Sequence, residues 1–455
     1  MRNSNKKLNF ASLSLLLGVI VSCGIRVKVD TGSDATSAGD LVREETAYLY
    51  CPDDGSPTHF VDTLMAGTIL PARLTPCIPL DINASLKNNL KKPESDEAIR
   101  QLDAFGWQTF IALNWPVELL GDNLRFARSL AGPGEPRWYT WSTTGEVFTR
   151  GAPEKWRSTS DQTFELALRI STRNREQRIW DQHGRPVQFE IMMNQTAYEN
   201  IVSNKLYTVE GQIEADPPNL FGWGKADNEL WGATVIKLAW KQLDEKDQAG
   251  RFFRRRVKAK PGDQKPRLFG LVGMHIAYKV SFLGDWVWST FEHIDNVDDK
   301  DEPTCAAPAP PPLAEPLFYD KQCSLEVCPE NDPASKNPRL GPGGQATQIV
   351  RKVPIRGETA AFNCEVRALL HKSAPQSPAQ YYKLVATQAA VSVEDGKEQY
   401  VPRSAINTVV ETYEQESRKG CAQCHRKATI KQERDGVIVD AEGDSMFMLS
   451  RRLRK

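Results

Sequence analysis

Near the C-terminus, two cysteines lie three positions apart and a histidine directly follows the second, in Cys421-Ala422-Gln423-Cys424-His425. This C-x-x-C-H spacing is the attachment pattern of c-type haem. Two thiols on one turn can form thioethers to the two vinyl groups of a single haem, and the adjacent imidazole can bond the iron. The motif therefore predicts one covalent haem c, attached through Cys421 and Cys424 and ligated by His425.

Two other chemistries fit the same residues. Cys421 and Cys424 could form a redox or structural disulfide, or they could supply half of a zinc site. A zinc site needs two further ligands nearby, and the sequence contains no second C-x-x-C pair and no H-x-H pair. The spacing and the adjacent histidine favour covalent haem.

The sixth position on the iron decides what such a haem does. A second strong ligand makes an electron-transfer site, whereas an open position lets small molecules bind and react. Met446 and Met448 follow the motif, and His275 and His293 lie on predicted strands. Methionines in such contexts are usually core residues, and strand histidines usually make structural hydrogen bonds. The sequence therefore leaves five alternatives: Met446, Met448, His275, His293 or no sixth ligand.

The first residues are typical of an export signal. Arg2, Lys6 and Lys7 precede an apolar run that ends in Val21-Ser22-Cys23-Gly24, which resembles a bacterial lipoprotein cleavage box. This pattern predicts a lipoprotein signal peptide over residues 1–22, with Cys23 as the lipidated residue. An ordinary cleaved signal and an uncleaved anchor are the alternatives, and all three export the chain. We expect a protein of the bacterial cell envelope that faces the periplasm and is anchored to the membrane by its N-terminal lipid.

The remaining cysteines fit an oxidising compartment. Of nine cysteines, Cys23 and the motif pair account for three, which leaves six and thus up to three disulfides. Cys51 with Cys77 is the obvious local pair. The other four would staple a loop-rich segment: Cys305, Cys323, Cys328 and Cys364.

Composition restricts the partners. The 455 residues include 58 basic and 58 acidic side chains, and this balance gives no nucleic-acid footprint. The chain shows no dinucleotide fingerprint in a proper context, no P-loop and no H-E-x-x-H motif. We expect a redox partner protein or a small redox molecule as the partner, and no nucleic acid.

The composition and the motifs along the chain divide it into three regions. Residues 1–22 form the signal, and residues 23–92 form a polar tether and an irregular N-terminal region. Residues 93–455 form the haem-binding domain, with a Pro/Cys-rich insertion at about 298–364. Helical spacing predicts a helix from about Ser95 that ends before Trp115-Pro116, and another helical stretch from about Asp161 to Arg169.

The middle of the chain alternates with a period of two. Strands are predicted over 187–194, 234–241, 253–259, 272–280 and 286–293, with a short helix from about Thr196 to Asn204. None of the gaps after Gly232 is long enough for a crossover helix, which indicates an antiparallel sheet.

Apolar residues recur at helical spacing just before the motif, at Ile406, Val409, Val410 and Tyr413. They predict a helix that starts near Ser404, packs on the sheet and runs straight into Cys421. The predicted fold class is α+β: a largely antiparallel β-sheet with flanking helices and a C-terminal helix leading into the haem-attachment motif.

The order of these segments resembles a known family. It comprises Asn194 after a strand, a strand that ends in Tyr278-Lys279, an aromatic strand that starts with Gly284-Asp285-Trp286, and Asp444-Ser445-Met446-Phe447 after a late C-x-x-C-H. This order is similar to that of the lysine-crosslinked, hydroxylamine-oxidising cytochromes and the beta-sheet cytochromes c′. The resemblance implies a mostly antiparallel sheet with one C-terminal haem whose sixth position is typically open.

A second resemblance is closer. The segment from Trp286 to Asn296 reads W-x-W-S-T-F-E-H-x-D-N, and with the late C-x-x-C-H it resembles a group of larger exported bacterial cytochromes. The crosslinking lysine of the hydroxylamine-oxidising cytochromes has no secure match in this chain, although Lys237 lies on a predicted strand.

The sequence as a whole favours a monohaem c-type cytochrome lipoprotein that transfers one electron at a time in the periplasm. The alternative is an open-site haem enzyme or sensor that acts on a small nitrogen or oxygen species. A lipoprotein scaffold with a purely structural haem is the third interpretation.

Overall fold

A computed structural model describes the residues in the following ranges: 49–50, 74–79, 95–120, 123–148, 152–156, 178–215, 220–223, 231–257, 265–281, 283–299, 305, 308–341, 343–392, 398–417 and 419–451. The predicted signal peptide, Cys23, Cys51 and the predicted helical stretch at 161–169 lie outside them. Within these ranges, no helix combines the length and the apolar character needed to cross a bilayer.

The described residues form helices and strands in mixed order. The helices are α1 (Asp96–Leu113), α2 (Thr144–Val147), α3 (Gln195–Ser203), α4 (Val209–Glu214), α5 (Gly357–Ser373), α6 (Cys421–His425) and α7 (Phe447–Arg451). The strands are β1 (Leu49–Tyr50), β2 (Ile78–Pro79), β3 (Pro116–Leu120), β4 (Asn123–Phe126), β5 (Glu135–Pro136), β6 (Ser142–Thr143), β7 (Gln188–Met193), β8 (Thr234–Gln242), β9 (Arg254–Val257), β10 (Arg267–Val280), β11 (Asp285–His293), β12 (Tyr382–Ser392), β13 (Glu398–Val401), β14 (Thr429–Arg434) and β15 (Val437–Glu442).

One eight-stranded sheet dominates the fold. Its strands run in the order β13-β12-β11-β10-β8-β7-β6, and β9 also pairs with β10. Every pairing in this sheet is antiparallel. The α+β class and the antiparallel sheet are thus confirmed, and the two-residue periodicity of the central strands predicted them.

The two faces of this sheet carry different cores. Ile236 on β8, Ile276 on β10 and Val287 on β11 point to the face that is covered by α1 and α5. Side chains one position away along each strand point to the opposite face, which carries the C-x-x-C-H motif. Val272 lies in a different apolar cluster from Met274 and Ile276, where the β8–β10 register shifts between Leu271 and Gly273.

Helix α1 begins where the sequence predicts. The Ser95 hydroxyl accepts a hydrogen bond from the Ala98 amide at 3.3 Å and caps the helix. At Gly106, a Cβ atom would overlap the Thr387 hydroxyl of β12 and would lie 2.8 Å from the Ser289 hydroxyl of β11. Glycine at this position therefore lets the helix lie directly on the two strands.

Disulfides hold the Pro/Cys-rich segment as predicted. Cys305 bonds to Cys364 on α5, and Cys323 bonds to Cys328. Cys77 is also disulfide-bonded, and its predicted partner Cys51 lies outside the described residues. Between 308 and 341 the described backbone is mostly turns, with one 3-10 turn at Pro338–Leu340.

The predicted C-terminal helix is wrong. Residues 404–417 form turns with a 3-10 turn at Gln415–Ser417, and the only helix of the motif itself is the short α6. Side chains take the amides that a helix would use: the Asn407 carboxamide oxygen accepts from the Val409 and Val410 amides, and Glu292 accepts from the Thr408 amide. The apolar residues are buried as predicted, but on a folded-back loop.

Asp103 gives the α1–sheet contact a pH dependence. Burial raises the pKa of Asp103 from 3.8 to about 7, while its carboxylate accepts from the Thr359 hydroxyl and the Thr387 amide. The folded protein therefore binds more protons than the unfolded chain between these values, and this residue's contribution to stability falls as pH rises from about 4 to about 7.

We expect Asp103→Asn to remove that part of the slope. The variant should gain stability relative to wild type as pH rises from about 4 to about 7, by an amount on the order of a few kcal/mol. Urea unfolding at several pH values measures it. Asp96→Asn, which removes an exposed carboxylate of the same helix, is the matched control. A constant difference between Asp103→Asn and wild type across this range would contradict the assignment.

Candidate functional site

The C-x-x-C-H motif is clamped to strand β12 of the sheet by one glutamine. The Gln388 carboxamide on β12 accepts a hydrogen bond from the Ala422 amide at 2.8 Å and donates to the Pro402 carbonyl at 2.7 Å. A Cβ atom at Gly420 would collide with that carboxamide, so only glycine fits directly before Cys421. Sequence reasoning missed Gln388, because a single glutamine on a strand carries no distinguishing pattern.

Both motif cysteines are free thiols. Cys421 is buried and Cys424 is exposed, and the two are not bonded to each other. Burial raises the pKa of the Cys421 thiol well above its usual value, and the Glu411 carboxylate raises it further. The two thiols project from one helical turn, and the disulfide alternative is not formed in this structure.

His425 is held by a backbone carbonyl. Its Nδ1 lies 2.9 Å from the Ser445 carbonyl oxygen. Since a carbonyl only accepts, Nδ1 carries the proton and Nε2 keeps its lone pair, which is the form that binds metals. Burial lowers the pKa of His425 to about 4, so the ring is neutral at pH 7. Its centroid lies 4.2 Å from that of Trp288 and 5.2 Å from that of Phe447.

The Ser445 carbonyl is in turn fixed by Asp444. The Asp444 carboxylate accepts from the Lys279 ammonium at 2.5 Å, the Trp286 indole at 2.9 Å and the Phe221 amide at 3.0 Å. Asp444 and Ser445 both adopt positive φ angles, 45° and 59°. The buried ion pair thus holds a strained turn whose next carbonyl orients His425.

The motif-bearing face of β10 and β11 follows a strict alternation. Lys279 and Trp286 pair across the strands and hold Asp444, while Ala277 pairs with Trp288, which contacts His425. One row further, His275 pairs with Thr290, whose hydroxyl accepts from the Asn407 carboxamide at 2.9 Å. Each pair of positions therefore contacts a different part of the closing segment.

Glu292 ends this series in a buried charge network. Its carboxylate pairs with Arg351, which also bonds to Asp299 at 2.9 Å. Asp299 pairs with Lys383 on β12 as well. The positive charges of Arg351 and Lys383 hold the pKa of Asp299 down at about 2. These charges compensate one another and attach the inserted segment to the sheet.

His275 is the predicted candidate that the fold brings near the motif. It is 5% exposed, and its Nε2 lies 3.3 Å from a Glu411 carboxylate oxygen without making a hydrogen bond to any residue the structure describes. His275, Glu411 and Lys237 all act electrostatically on His425. Gly273, on the same strand face, is covered by the loop: a Cβ there would lie 3.3 Å from a Val410 side-chain atom. Sequence reasoning missed Glu411.

His293 is elsewhere and is engaged. Its Nε2 lies 3.0 Å from the Arg251 carbonyl, its Nδ1 accepts from the Asp295 amide at 3.2 Å, and its ring stacks on Phe252. Burial lowers its pKa to about 4. With both nitrogens bonded to backbone, His293 is a structural residue.

Met446 and Met448 are buried in the same apolar cluster as Cys421 and Ala422. Met446 directly follows Ser445, whose carbonyl faces Nδ1 of His425. Both methionines act here as core residues.

Another cluster of potential metal ligands lies apart from the motif. Among the described residues, His183, Asp244 and Asp247 have ligand atoms close together. Arg185 bonds to Asp244 at 2.9 Å, and Lys241 bonds to Asp247 at 2.8 Å. These cations already compensate the carboxylates, so the cluster is an ion-pair network.

Comparisons with known proteins add no assignment. No protein-family model, no curated protein and no solved structure matches this chain.

We expect Asp444→Ala to destabilise the protein strongly, because it leaves the Lys279 ammonium, 1% exposed, without its carboxylate. Breaking a buried ion pair in this way costs about 3–5 kcal/mol. Asp440→Ala is the matched control, since it removes a carboxylate from the exposed Lys431–Asp440 pair and should cost at most about 1 kcal/mol. Urea unfolding measures the free energy of unfolding of both variants. Equal losses of stability would show that the Lys279–Asp444 pair does not hold the turn.

Proposed function

We propose that this chain is an exported monohaem c-type cytochrome lipoprotein that transfers single electrons to and from a redox partner. One observation carries the proposal. Two free thiols and a neutral imidazole project from one short helix, and the imidazole is oriented through Nδ1 so that Nε2 is available to iron.

The donor set fits a covalent haem. Cys421 and Cys424 supply the two thiols, and His425 supplies the nitrogen ligand. The buried Nε2 of His275, on the same sheet face, lies 3.3 Å from a Glu411 carboxylate oxygen without a hydrogen bond of good geometry. A zinc site fits less well, because no third or fourth zinc ligand joins these cysteines among the described residues.

When bound, the haem supplies a one-electron redox couple. The residues around it would keep its iron ligand in place. The Ser445 carbonyl fixes the tautomer of His425, and Trp288 and Phe447 pack against the ring on either side. These contacts leave the imidazole little freedom to turn, and a rigid ligand lowers the reorganisation that accompanies electron transfer.

The order of motifs also supports a family placement. We propose that the chain is related to the larger exported cytochromes with the Trp286–Asn296 segment. Three residues of this segment make contacts around the motif: Trp286 bonds to Asp444, Trp288 contacts His425, and Glu292 accepts from the Thr408 amide.

A second function, an open-site enzyme or sensor for a small nitrogen or oxygen species, is favoured by one feature. Lys237, His275 and Glu411 place three polar side chains near the motif, where they could bond to a small iron-bound molecule. An optical spectrum of the reduced protein with and without carbon monoxide separates the two, because a six-coordinate carrier leaves no site for the gas.

We expect the full chain, made in a bacterial host that attaches haem c, to carry covalent haem. Haem-dependent peroxidase staining of a denaturing gel detects it. Cys421→Ala with Cys424→Ala should abolish the stain, whereas Cys323→Ala with Cys328→Ala, which removes a structural pair, should keep it. Stain that survives the first double variant would refute the attachment site.

Cys23 is expected to anchor the chain in the membrane. Cys23→Ala should move the protein from the membrane fraction to the soluble periplasmic fraction or block its processing, because no acyl chain can be attached. Cell fractionation with an antibody to the chain measures this. Cys77→Ala serves as a cysteine control. A Cys23→Ala variant that is processed like the wild type and still stays in the membrane fraction would contradict the lipid anchor.

A further inference from the structure

The histidines of this chain can be sorted by what their nitrogens do. Of the six, His59 lies outside the described residues. His293 bonds to backbone through both nitrogens, His183 belongs to the Arg185 ion-pair network, and exposed His371 bonds to Gln380 at 2.7 Å. Among the described histidines, only His275 has a buried nitrogen without a hydrogen-bond partner.

An unsatisfied buried nitrogen needs an explanation. Leaving such a group without a partner costs about 1–3 kcal/mol, and native proteins rarely do so without a reason. A Glu411 carboxylate oxygen lies 3.3 Å from Nε2 of His275 outside good hydrogen-bond geometry, and the same oxygen also accepts from the Asn407 amide at 3.0 Å. A metal ion on Nε2 would satisfy the nitrogen.

The position of His275 suits that role. On β10 it lies two residues from Ala277, and Ala277 pairs with Trp288, whose ring contacts His425. The two imidazoles therefore stand over neighbouring positions of one sheet face. His425 is held from its Nδ1 side by the Ser445 carbonyl, so a group bound at its Nε2 lies away from that carbonyl.

We propose that His275 is the sixth ligand of the iron, which makes this a bis-histidine haem. The inference rests on the proposed haem attachment and goes beyond it by assigning the group opposite His425. It also selects electron transfer over small-molecule chemistry, because a second imidazole closes the iron to ligands.

The test uses the full chain with its attached haem. Electron paramagnetic resonance of the oxidised protein and optical spectra of the reduced protein, with and without carbon monoxide, report the coordination directly. The wild type should be low-spin in both states and should not change with carbon monoxide. A five-coordinate, high-spin wild type would overturn the assignment, even without any variant.

Two variants then assign the ligand. His275→Ala and the bulkier His275→Gln should both become high-spin and bind carbon monoxide, and added imidazole should restore the low-spin spectrum of His275→Ala by entering the vacated space. Such rescue is not expected of a merely structural histidine. His371→Ala, which removes an exposed histidine, is the control and should keep the wild-type spectrum.

Other results identify what else binds. A low-spin His275→Gln that turns high-spin only with Lys237→Ala added would assign the lysine instead and overturn the proposal. A methionine–iron charge-transfer band in the oxidised wild type would do the same in favour of buried Met193. Absence of covalent haem on the denaturing gel would reject the proposed function itself, which a high-spin protein with attached haem would not.

Discussion

The buried pair of Lys279 and Asp444 is the interaction on which the site depends. An ammonium and a carboxylate that are both nearly removed from water are stable only together, so the closing turn is confined to the end of β10. That turn presents the Ser445 carbonyl to His425, and the indole of Trp286 shares the same carboxylate. The tautomer of His425 thus depends on the charge of Lys279, which lies on β10 and acts through Asp444 and the Ser445 carbonyl.

Alternation along two strands extends this logic. On one face, β10 and β11 supply apolar residues to the core under α1 and α5. On the other, successive rows hold Asp444, His425, Asn407 and the Thr408 amide, in that order. A strand residue can face only one side, so each row serves one function. Residues 404–446 are held by contacts with successive rows of this sheet face, so this segment needs no long helix of its own.

Periodicity made the sheet predictable, and its limits explain the rest. The central strands β7 to β11, the start of α1 at Ser95 and the loop-stapling disulfides followed from local patterns, whereas β12 and β13 of the same sheet were not predicted. The helix expected at Ile406 and Val409 failed because Asn407 and Glu292 take its amides, and Glu292 lies more than a hundred residues away in sequence. Gln388, Glu411 and the Lys279–Asp444 pair act only through such long-range contacts. A sequence pattern can show that Lys279 lies on a strand, but only the folded structure shows that its ammonium contacts Asp444.

The burial of Cys421 imposes an order of events. Its sulfur lies 3.8 Å from the Ala405 carbonyl oxygen, the next amide is bound by Gln388 of β12, and the thiol is buried in the folded protein. Under the proposed haem attachment, the thioether at Cys421 would form before the loop around Ala405 closes over the sulfur. Strands β6 to β13 precede the motif in the chain and can assemble before that step.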